Sequence, residues 1–248
     1  MDDVMTRLVA DPAESVTRRF AGLDWPAIAD GLDRHGHATT GPLLSAAECA
    51  GLVALYPEAA RFRSRVIMQR HGFGRGEYQY FAYPLPPLVA ALRWAAYPHL
   101  APVARRWHEA LGEAGAIPAT LDDQLARCHA AGQARPTPLL LKYGAEDFNC
   151  LHQDLYGPLV FPLQFAILLS RPGIDFTGGE FLLVEQRPRA QSRGEVVPLA
   201  QGEAVIFAVN RRPGQGRRGP YRLALRHGVS RIRSGERFSL GVIFHDAA

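Results

Sequence analysis

Short apolar runs separated by turn residues fill the sequence after residue 136, and this pattern restricts the fold more than any other feature. About eight such runs fall within about 110 residues, and this spacing is typical of an antiparallel sandwich or barrel of the jelly-roll kind. The Gly- and Arg-rich segment NRRPGQGRRGP, from Asn210 to Pro220, predicts an extended loop that interrupts the strands. The predicted strands are PLLLKYG, FNCLHQDL, VFPLQFAILLS, GGEFLLVE, EVVPL, EAVIFAV, YRLALRHGVSRI and RFSLGVIFH.

Helical patterns dominate the Ala-rich first half of the 248-residue chain. Ser45 and Glu48 form a capping box in SAAEC, which predicts a helix that runs to about Leu55. Further helices are predicted for residues 87–112 and 121–131, with Pro98 and Pro102 interrupting the first of them.

Strand signals also occur in the first half. HGHATTGPLL predicts a strand and a turn, and RSRVIMQRHGFGRGEYQYFAYPLPP predicts two strands around a Gly-rich tip at residues 72–76. The chain is therefore predicted to be α+β, with a jelly-roll catalytic core at residues 136–248. A mainly helical region at residues 1–135, with a β-hairpin lid, is predicted to pack on this core as part of one integrated domain.

Composition restricts the class of protein less sharply. The formal net charge of +4 and pI of about 9.2 suit an anionic partner such as nucleic acid, although many soluble enzymes carry as much charge. Cys49, Cys128 and Cys150 form no CxxC motif, which predicts reduced thiols. The N-terminus lacks an apolar signal segment, and LVFPLQFAILL is too short to span a bilayer. These features predict a cytoplasmic protein that does not enter a membrane.

His152 and Asp154 in LHQDLYG are the first candidate metal ligands. Residues two apart on a strand point the same way, so this tripeptide aims an imidazole and a carboxylate at one point. An iron site of the facial-triad type needs one more histidine. His227 and His245 are the candidates downstream of the motif, and His227 is preferred because it lies within a predicted strand.

Arg237 and Ser239 are predicted to hold a carboxylate beside this site. In RFSLGVIF they share one strand face with Gly241 and Ile243, and this face is the roomier because two of its residues are small. A three-residue hairpin loop at Ser234–Glu236 would pair His227 with Ile243 and turn these groups inward, whereas a loop of two or four residues would put Arg237 outside.

The order of HxD, GGE in FTGGEFLLVE, a distant histidine and RxS resembles the Fe(II)/2-oxoglutarate-dependent dioxygenases over roughly residues 137–246. KYGAEDFNCLHQD is also similar to the AlkB-type nucleic-acid dealkylases, in which a tyrosine precedes the metal-binding histidine by nine residues. The resemblance implies that Fe(II), 2-oxoglutarate and O2 are required. It further implies that His152, Asp154 and His227 bind the iron, and that Arg237, Ser239 and Tyr143 bind 2-oxoglutarate.

Three functions are weighed for the chain. The first is a dioxygenase that hydroxylates or demethylates damaged or modified nucleic acid, presented as a single strand or a flipped base. The second is a hydroxylase of a protein side chain or small metabolite, and the third is a non-catalytic jelly-roll binding module. Candidate groups for base stacking and phosphate contact, each of which equally suits an ordinary core or solvated surface, are Tyr78, Tyr80, Phe81, Tyr83, Arg211, Arg212, Arg217 and Arg218.

Overall fold

The computed structural model describes residues 12–217 and 219–248. Within that part of the chain, no helix is both long and apolar enough to cross a membrane. The N-terminal segment and Arg218, both considered in the sequence analysis, lie outside the described residues. The α-helices are α1 (Pro12–Ala21), α2 (Trp25–His35), α3 (Ala46–Ala54), α4 (Pro87–Ala110) and α5 (Leu121–Ala130).

Helix α3 begins as its sequence predicts. The Ser45 side chain accepts a hydrogen bond from the Glu48 amide, and the Glu48 carboxylate accepts one from the Ser45 amide. The predicted interruption of the next long helix is wrong, because α4 continues through Pro98 and Pro102. A buried face along α4, which includes Tyr97, packs into the main core and outweighs the poor helix propensity of the two prolines.

The strands form two antiparallel sheets and a short extra pair. The larger sheet has the order β1-β11-β7-β15-β5-β4-β2 and the smaller sheet β10-β9-β13-β6-β3, with β12 also paired to β13. β8 pairs with β14. The bounds are β1 (His37–Pro42), β2 (Phe62–Ile67), β3 (Gly74–Arg75), β4 (Glu77–Phe81), β5 (Leu139–Tyr143), β6 (Phe148–His152), β7 (Leu163–Leu168), β8 (Phe176–Gly178), β9 (Phe181–Gln186), β10 (Arg193–Val197), β11 (Glu203–Ala208), β12 (Arg211–Gly216), β13 (Gly219–Val229), β14 (Ile232–Gly235) and β15 (Arg237–Ile243).

Each of the eight runs predicted as strands in the second half overlaps one of these strands, and the α+β class is confirmed. The first half contributes more to the sheets than a separate lid would. β1 pairs with β11 at one edge of the larger sheet, and the predicted hairpin, β2 with β4, extends the other edge through β5. Strands from both halves of the chain therefore share one sheet.

The segment predicted as an extended loop is a hairpin instead. β12 pairs with β13 from Arg211 opposite Ala224 to Gly216 opposite Gly219. β12 is an edge strand, where Pro213 and the glycines are tolerated because no further strand requires their amide groups. The loop prediction, which rested on Arg and Gly content alone, is therefore wrong for this segment.

The predicted hairpin at Ser234–Glu236 is also wrong. β13 belongs to the smaller sheet, β14 pairs with β8, and β15 lies between β5 and β7 of the larger sheet. His227 consequently does not pair with Ile243. The chain crosses from one sheet to the other at this point, so the two strands face each other across the interior rather than lying side by side.

Alternation along β15 separates the core from the interior cavity. Leu240, Val242 and Phe244 pack with the helices in the main hydrophobic core. The opposite face turns Arg237, Ser239, Gly241 and Ile243 toward a cavity between the sheets, as the period of two predicts. One strand thus joins the packed core to the candidate site.

Candidate metal centre

Three side chains that can bind a metal converge on the smaller sheet. His152 ends β6, and His227 lies directly opposite it on β13. His227 Nε2 lies 3.2 Å from Asp154 Oδ2, and His152 Nε2 lies 3.5 Å from Asp154 Oδ1. One potential ligand atom from each residue lies within 4.8 Å of the others. Two imidazole nitrogens and one carboxylate form the donor set of a non-haem Fe(II) site, so these residues fit that ion.

Hydrogen bonding and burial set the protonation that a metal requires. His152 Nδ1 lies 2.9 Å from the carbonyl oxygen of Cys150, which only accepts, so Nδ1 carries the proton and Nε2 is free to bind a metal. Burial lowers the pKa of His227, and the charge of His152 lowers it further. Burial alone would raise the pKa of Asp154, but hydrogen bonds and charges from both histidines hold it well below its usual range. The carboxylate is therefore ionised, which is the state in which it binds a metal.

The Asp154 carboxylate has two further hydrogen-bond donors. The Tyr156 hydroxyl donates to Oδ1 at 2.7 Å, and Gln164 Nε2 donates to Oδ2 at 2.9 Å. The Tyr80 hydroxyl in turn donates to the Tyr156 hydroxyl at 3.0 Å. Burial raises the pKa of Tyr156 well above its usual value, so this hydroxyl remains a donor.

A buried cation faces this site from the larger sheet. Arg237 is only 3% exposed, and Nη1 donates to Ser239 Oγ at 3.2 Å. Its Nε has no hydrogen-bond partner among the described residues, and its guanidinium forms no ion pair with them. Its carbon Cζ lies 5.7 Å from the Tyr143 ring centre, and Asn149 Nδ2 donates to the Tyr143 hydroxyl at 3.3 Å. Because an unpaired buried charge is costly, this guanidinium fits a carboxylate ligand such as that of 2-oxoglutarate.

The GGE motif has a packing role beside Arg237. Gly178 and Gly179 both adopt positive φ angles, which favour glycine. A Cβ at Gly179 would lie 3.0 Å from Cδ of Arg237 and 2.3 Å from Cδ1 of Ile232. The motif therefore lets the backbone approach closely enough to confine the arginine stem.

The three candidate metal ligands and the residues around Arg237 line one cavity of about 400 Å³. We call β6, β13 and the Asp154 segment the metal wall, and β5 with β15 the anchor wall. The structure thus brings together all six predicted site residues: His152, Asp154, His227, Arg237, Ser239 and Tyr143. His245 does not join them, because its buried ring accepts a hydrogen bond at Nδ1 from the Phe161 amide.

Sequence reasoning missed Tyr156, Gln164 and Asn149. Tyr156 follows Asp154 by two residues, and this proximity was its one available signal. Gln164 comes from β7 of the larger sheet, and its Nε2 donates to Asp154, which follows β6 of the smaller sheet. A polar residue in the apolar run VFPLQFAILLS was the corresponding signal for Gln164.

The residues suggested for nucleic-acid contact have divergent environments. Tyr78 and Tyr80 line the cavity, whereas Phe81 is buried in the core and the Tyr83 hydroxyl donates to Asp246. The prediction that Arg212 contacts phosphate is wrong, because its side chain is buried in an ion pair with Glu185. Arg211 pairs with Glu113 at 2.7 Å. Arg217 is exposed.

Exposed apolar side chains occur at the cavity instead. Phe73 and Leu155 line it while remaining 47% and 49% exposed, and Leu151 lines it with 40% exposure. Arg70 and Arg75 flank Phe73 in sequence and are exposed. The Phe73 carbonyl accepts a hydrogen bond of 2.9 Å from the Cys150 amide, which attaches this tip to the metal wall.

Comparison with known proteins identifies the group to which these features belong. Residues 76–247 match the model of the family Oxygenase-NA, described as oxygenases catalysing oxidative methylation of damaged DNA. Two proteins from strains of Mycobacterium tuberculosis, both called uncharacterised, are 57% identical over 168 residues. This match covers 68% of this chain and 72% of each relative.

Solved structures share the fold at low sequence identity. A Pseudomonas putida prolyl-4-hydroxylase is 16% identical with a TM-score of 0.55, over 90% of this chain and 100% of that one. The α-ketoglutarate-dependent epimerase SnoN from nogalamycin biosynthesis is 16% identical with a TM-score of 0.54, over 88% of this chain and 81% of that one. These similarities confirm the predicted double-stranded β-helix, or jelly-roll, core.

Proposed function

The chain belongs to the Oxygenase-NA family, and on that premise we propose that it oxidises alkyl groups on damaged nucleic acid. It is an oxygenase that uses Fe(II), 2-oxoglutarate and O2, so the interpretation as a non-catalytic binding module is wrong. The observation that carries the proposed substrate is the family match, whose residues 76–247 include every candidate site residue.

The six site residues are assigned roles by their chemistry. His152, Asp154 and His227 would hold Fe(II), and Arg237 with Ser239 and Tyr143 would hold the far carboxylate of 2-oxoglutarate. Bound iron, 2-oxoglutarate and O2 supply the oxidant that hydroxylates a C–H bond, with succinate and CO2 as the other products. The chain itself orients these groups and surrounds them with apolar residues that exclude water.

Hydroxylation of an N-methyl group explains how oxidation can reverse alkylation. The methyl C–H bond becomes C–OH, which gives a hemiaminal on the base nitrogen. Its C–N bond then breaks as the hydroxyl proton leaves, so that formaldehyde is released and the nitrogen recovers a proton. A methylated base is therefore a substrate on which this chemistry produces an undamaged base.

The tip from Arg70 to Arg75 supports a nucleic-acid substrate. Phe73 offers an exposed ring at the cavity, and the exposed side chains of Arg70 and Arg75 lie near it in sequence, with Arg75 Nε 3.8 Å from Asp147 Oδ1. Stacking on an aromatic ring and contacts from cations to phosphates are the main sources of affinity for single strands. The net charge of +4 acts in the same direction.

Hydroxylation of a protein side chain or small metabolite is the alternative that the experiment must separate. The prolyl-4-hydroxylase is named for a protein substrate, but at 16% identity its similarity concerns the fold alone. The test compares an N-methylated single-stranded oligonucleotide with its unmodified counterpart in the presence of Fe(II) and 2-oxoglutarate. We expect succinate and formaldehyde to appear in equal amounts only with the methylated strand.

A matched pair of variants tests the tip. Phe73→Ala should weaken single-strand binding by about 1–3 kcal/mol, the usual contribution of one stacked base. Ile174→Ala removes another exposed apolar side chain, one that does not line the cavity, and should leave binding unchanged. Turnover of 2-oxoglutarate that no methylated strand stimulates at low salt would contradict the proposed substrate and favour the alternative.

A further inference from the structure

We propose that Tyr156, Gln164 and Tyr80 are positioning residues that fix the Asp154 carboxylate in the orientation in which it binds iron. The inference rests on the proposed metal site and concerns the part of the chain that surrounds it. None of the three supplies a metal ligand in the proposed triad. They act on the metal through Asp154.

The two carboxylate oxygens of Asp154 are held from different directions. Oδ1 accepts the Tyr156 hydroxyl at 2.7 Å, and Oδ2 accepts Gln164 Nε2 at 2.9 Å. The histidine Nε2 atoms lie farther from the same two oxygens, at 3.5 and 3.2 Å. A carboxylate with a donor on each oxygen cannot rotate without breaking one of these bonds, so its orientation is fixed before a metal arrives.

Gln164 can orient its amide in only one way here. Its side chain is buried on β7, with 2% exposure, and Nε2 faces the Asp154 carboxylate. The reverse orientation would place the amide oxygen against an ionised carboxylate and remove the Gln164 donor from Oδ2. Oε1 has no hydrogen-bond partner among the described residues, so the contact to Asp154 is the polar contact that defines this amide.

Tyr156 connects the metal wall to the first half of the chain. Its hydroxyl accepts a hydrogen bond at 3.0 Å from Tyr80, which lies on β4. The guanidinium carbon of Arg63 lies 4.4 Å from the Tyr80 ring centre, and Arg63 Nε donates to the Pro136 carbonyl at 2.8 Å. The hairpin of β2 and β4 thereby determines the position of the hydroxyl that reaches Asp154.

Removal of these donors should weaken metal binding while all three ligands remain. Loss of an outer hydrogen-bond partner typically lowers metal affinity about 10–100-fold. We expect Tyr156→Phe and Gln164→Leu each to raise the Kd for Fe(II) in that range. Tyr80→Phe, one bond farther away, should raise it less than about tenfold.

The experiment is an anaerobic titration of the metal-free full chain with Fe(II), supported by the visible absorption of Co(II) bound at the same site. The Co(II) bands report the ligand geometry and should shift in Tyr156→Phe and Gln164→Leu. Tyr97→Phe is the matched control, because it also removes a buried hydroxyl, one that donates to the Pro118 carbonyl. It should lower thermal stability but leave the Kd and the Co(II) spectrum unchanged.

The outcomes separate this inference from the proposed function. Suppose that the wild-type protein binds Fe(II). If the Kd values of Tyr156→Phe and Gln164→Leu then both lie within about twofold of the wild-type value, the positioning role is wrong. If the wild-type protein does not bind Fe(II), the metal site itself is wrong. Should either variant fail to fold by circular dichroism, the other and Tyr80→Phe decide, because the three side chains lie on separate segments of the chain.

Discussion

His152 on the metal wall leaves 35% of its side chain exposed, whereas all seven residues of β15 on the anchor wall are buried. The metal wall stands at the entrance of the cavity and is held by hydrogen bonds among polar groups. The anchor wall is the cavity face of a strand whose other face packs in the main core. One metal ligand is thus partly exposed, while the group that selects the cosubstrate is built into the fold.

Removing a metal ligand should have the largest effect on activity and a small effect on the fold. His152→Ala or Asp154→Ala should lower 2-oxoglutarate turnover by at least about a thousandfold, because metal catalysis contributes several kcal/mol. Succinate formation under saturating Fe(II) measures this. His35→Ala, which removes an exposed histidine elsewhere, serves as the control. Activity retained in both ligand variants would refute the metal assignment.

Replacing Arg237 should separate activity from stability. Arg237→Met removes a charge-assisted contact to a carboxylate, worth about 1.5–3 kcal/mol, so the KM for 2-oxoglutarate should rise about 10–100-fold. The same change removes a buried cation that has no ion pair within the described residues, so the metal-free protein should become more stable.

Kinetics at varied 2-oxoglutarate and urea unfolding measure the two effects. Arg233→Met, on the exposed part of β14, should alter neither the KM nor the stability. A loss of stability in Arg237→Met would mean that the arginine supports the fold rather than binding an anion.

His245 should make the stability of the folded protein depend on pH. Burial, with a smaller contribution from the charge of Arg93, lowers its pKa to about 4, against opposing contributions from Asp154 and Asp246. The folded protein therefore disfavours protonation of this ring, and the associated stability is present above the unfolded value near 6.5. It should be lost progressively as the pH falls from 6.5 through 4, by about 3 kcal/mol.

Urea unfolding of the metal-free protein between pH 7 and pH 4 tests this expectation. His245→Gln cannot titrate in this range, so the stability difference between it and the wild type should shrink as the pH falls. A constant difference across the range would show that His245 does not cause the acid sensitivity.

The sequence made the site predictable where strand alternation or motif spacing determines it. HxD places two ligands at the end of β6, and the small residues of β15 mark its cavity face. The prediction of a hairpin at Ser234–Glu236 was wrong because a crossing between sheets and a hairpin use the same turn residues. Tyr156 and Gln164 were missed because hydrogen-bond partners from separate strands depend on how the sheets pack, which local periodicity does not encode.

A single hydrogen bond between side chains of the two walls should have the smallest effect. Asn149 on β6 donates to the Tyr143 hydroxyl on β5 at 3.3 Å, a long contact that joins the metal wall to the anchor wall. Asn149→Ala should raise the KM for 2-oxoglutarate by about twofold, since a neutral hydrogen bond at the weak end contributes about 0.5 kcal/mol. Tyr143→Phe should raise the KM further, because it also removes a contact to the far carboxylate, and the double variant should cost no more than Tyr143→Phe alone, because the Asn149 bond needs the Tyr143 hydroxyl. If the two effects instead add, the walls act independently, and the cosubstrate is positioned by the anchor wall alone.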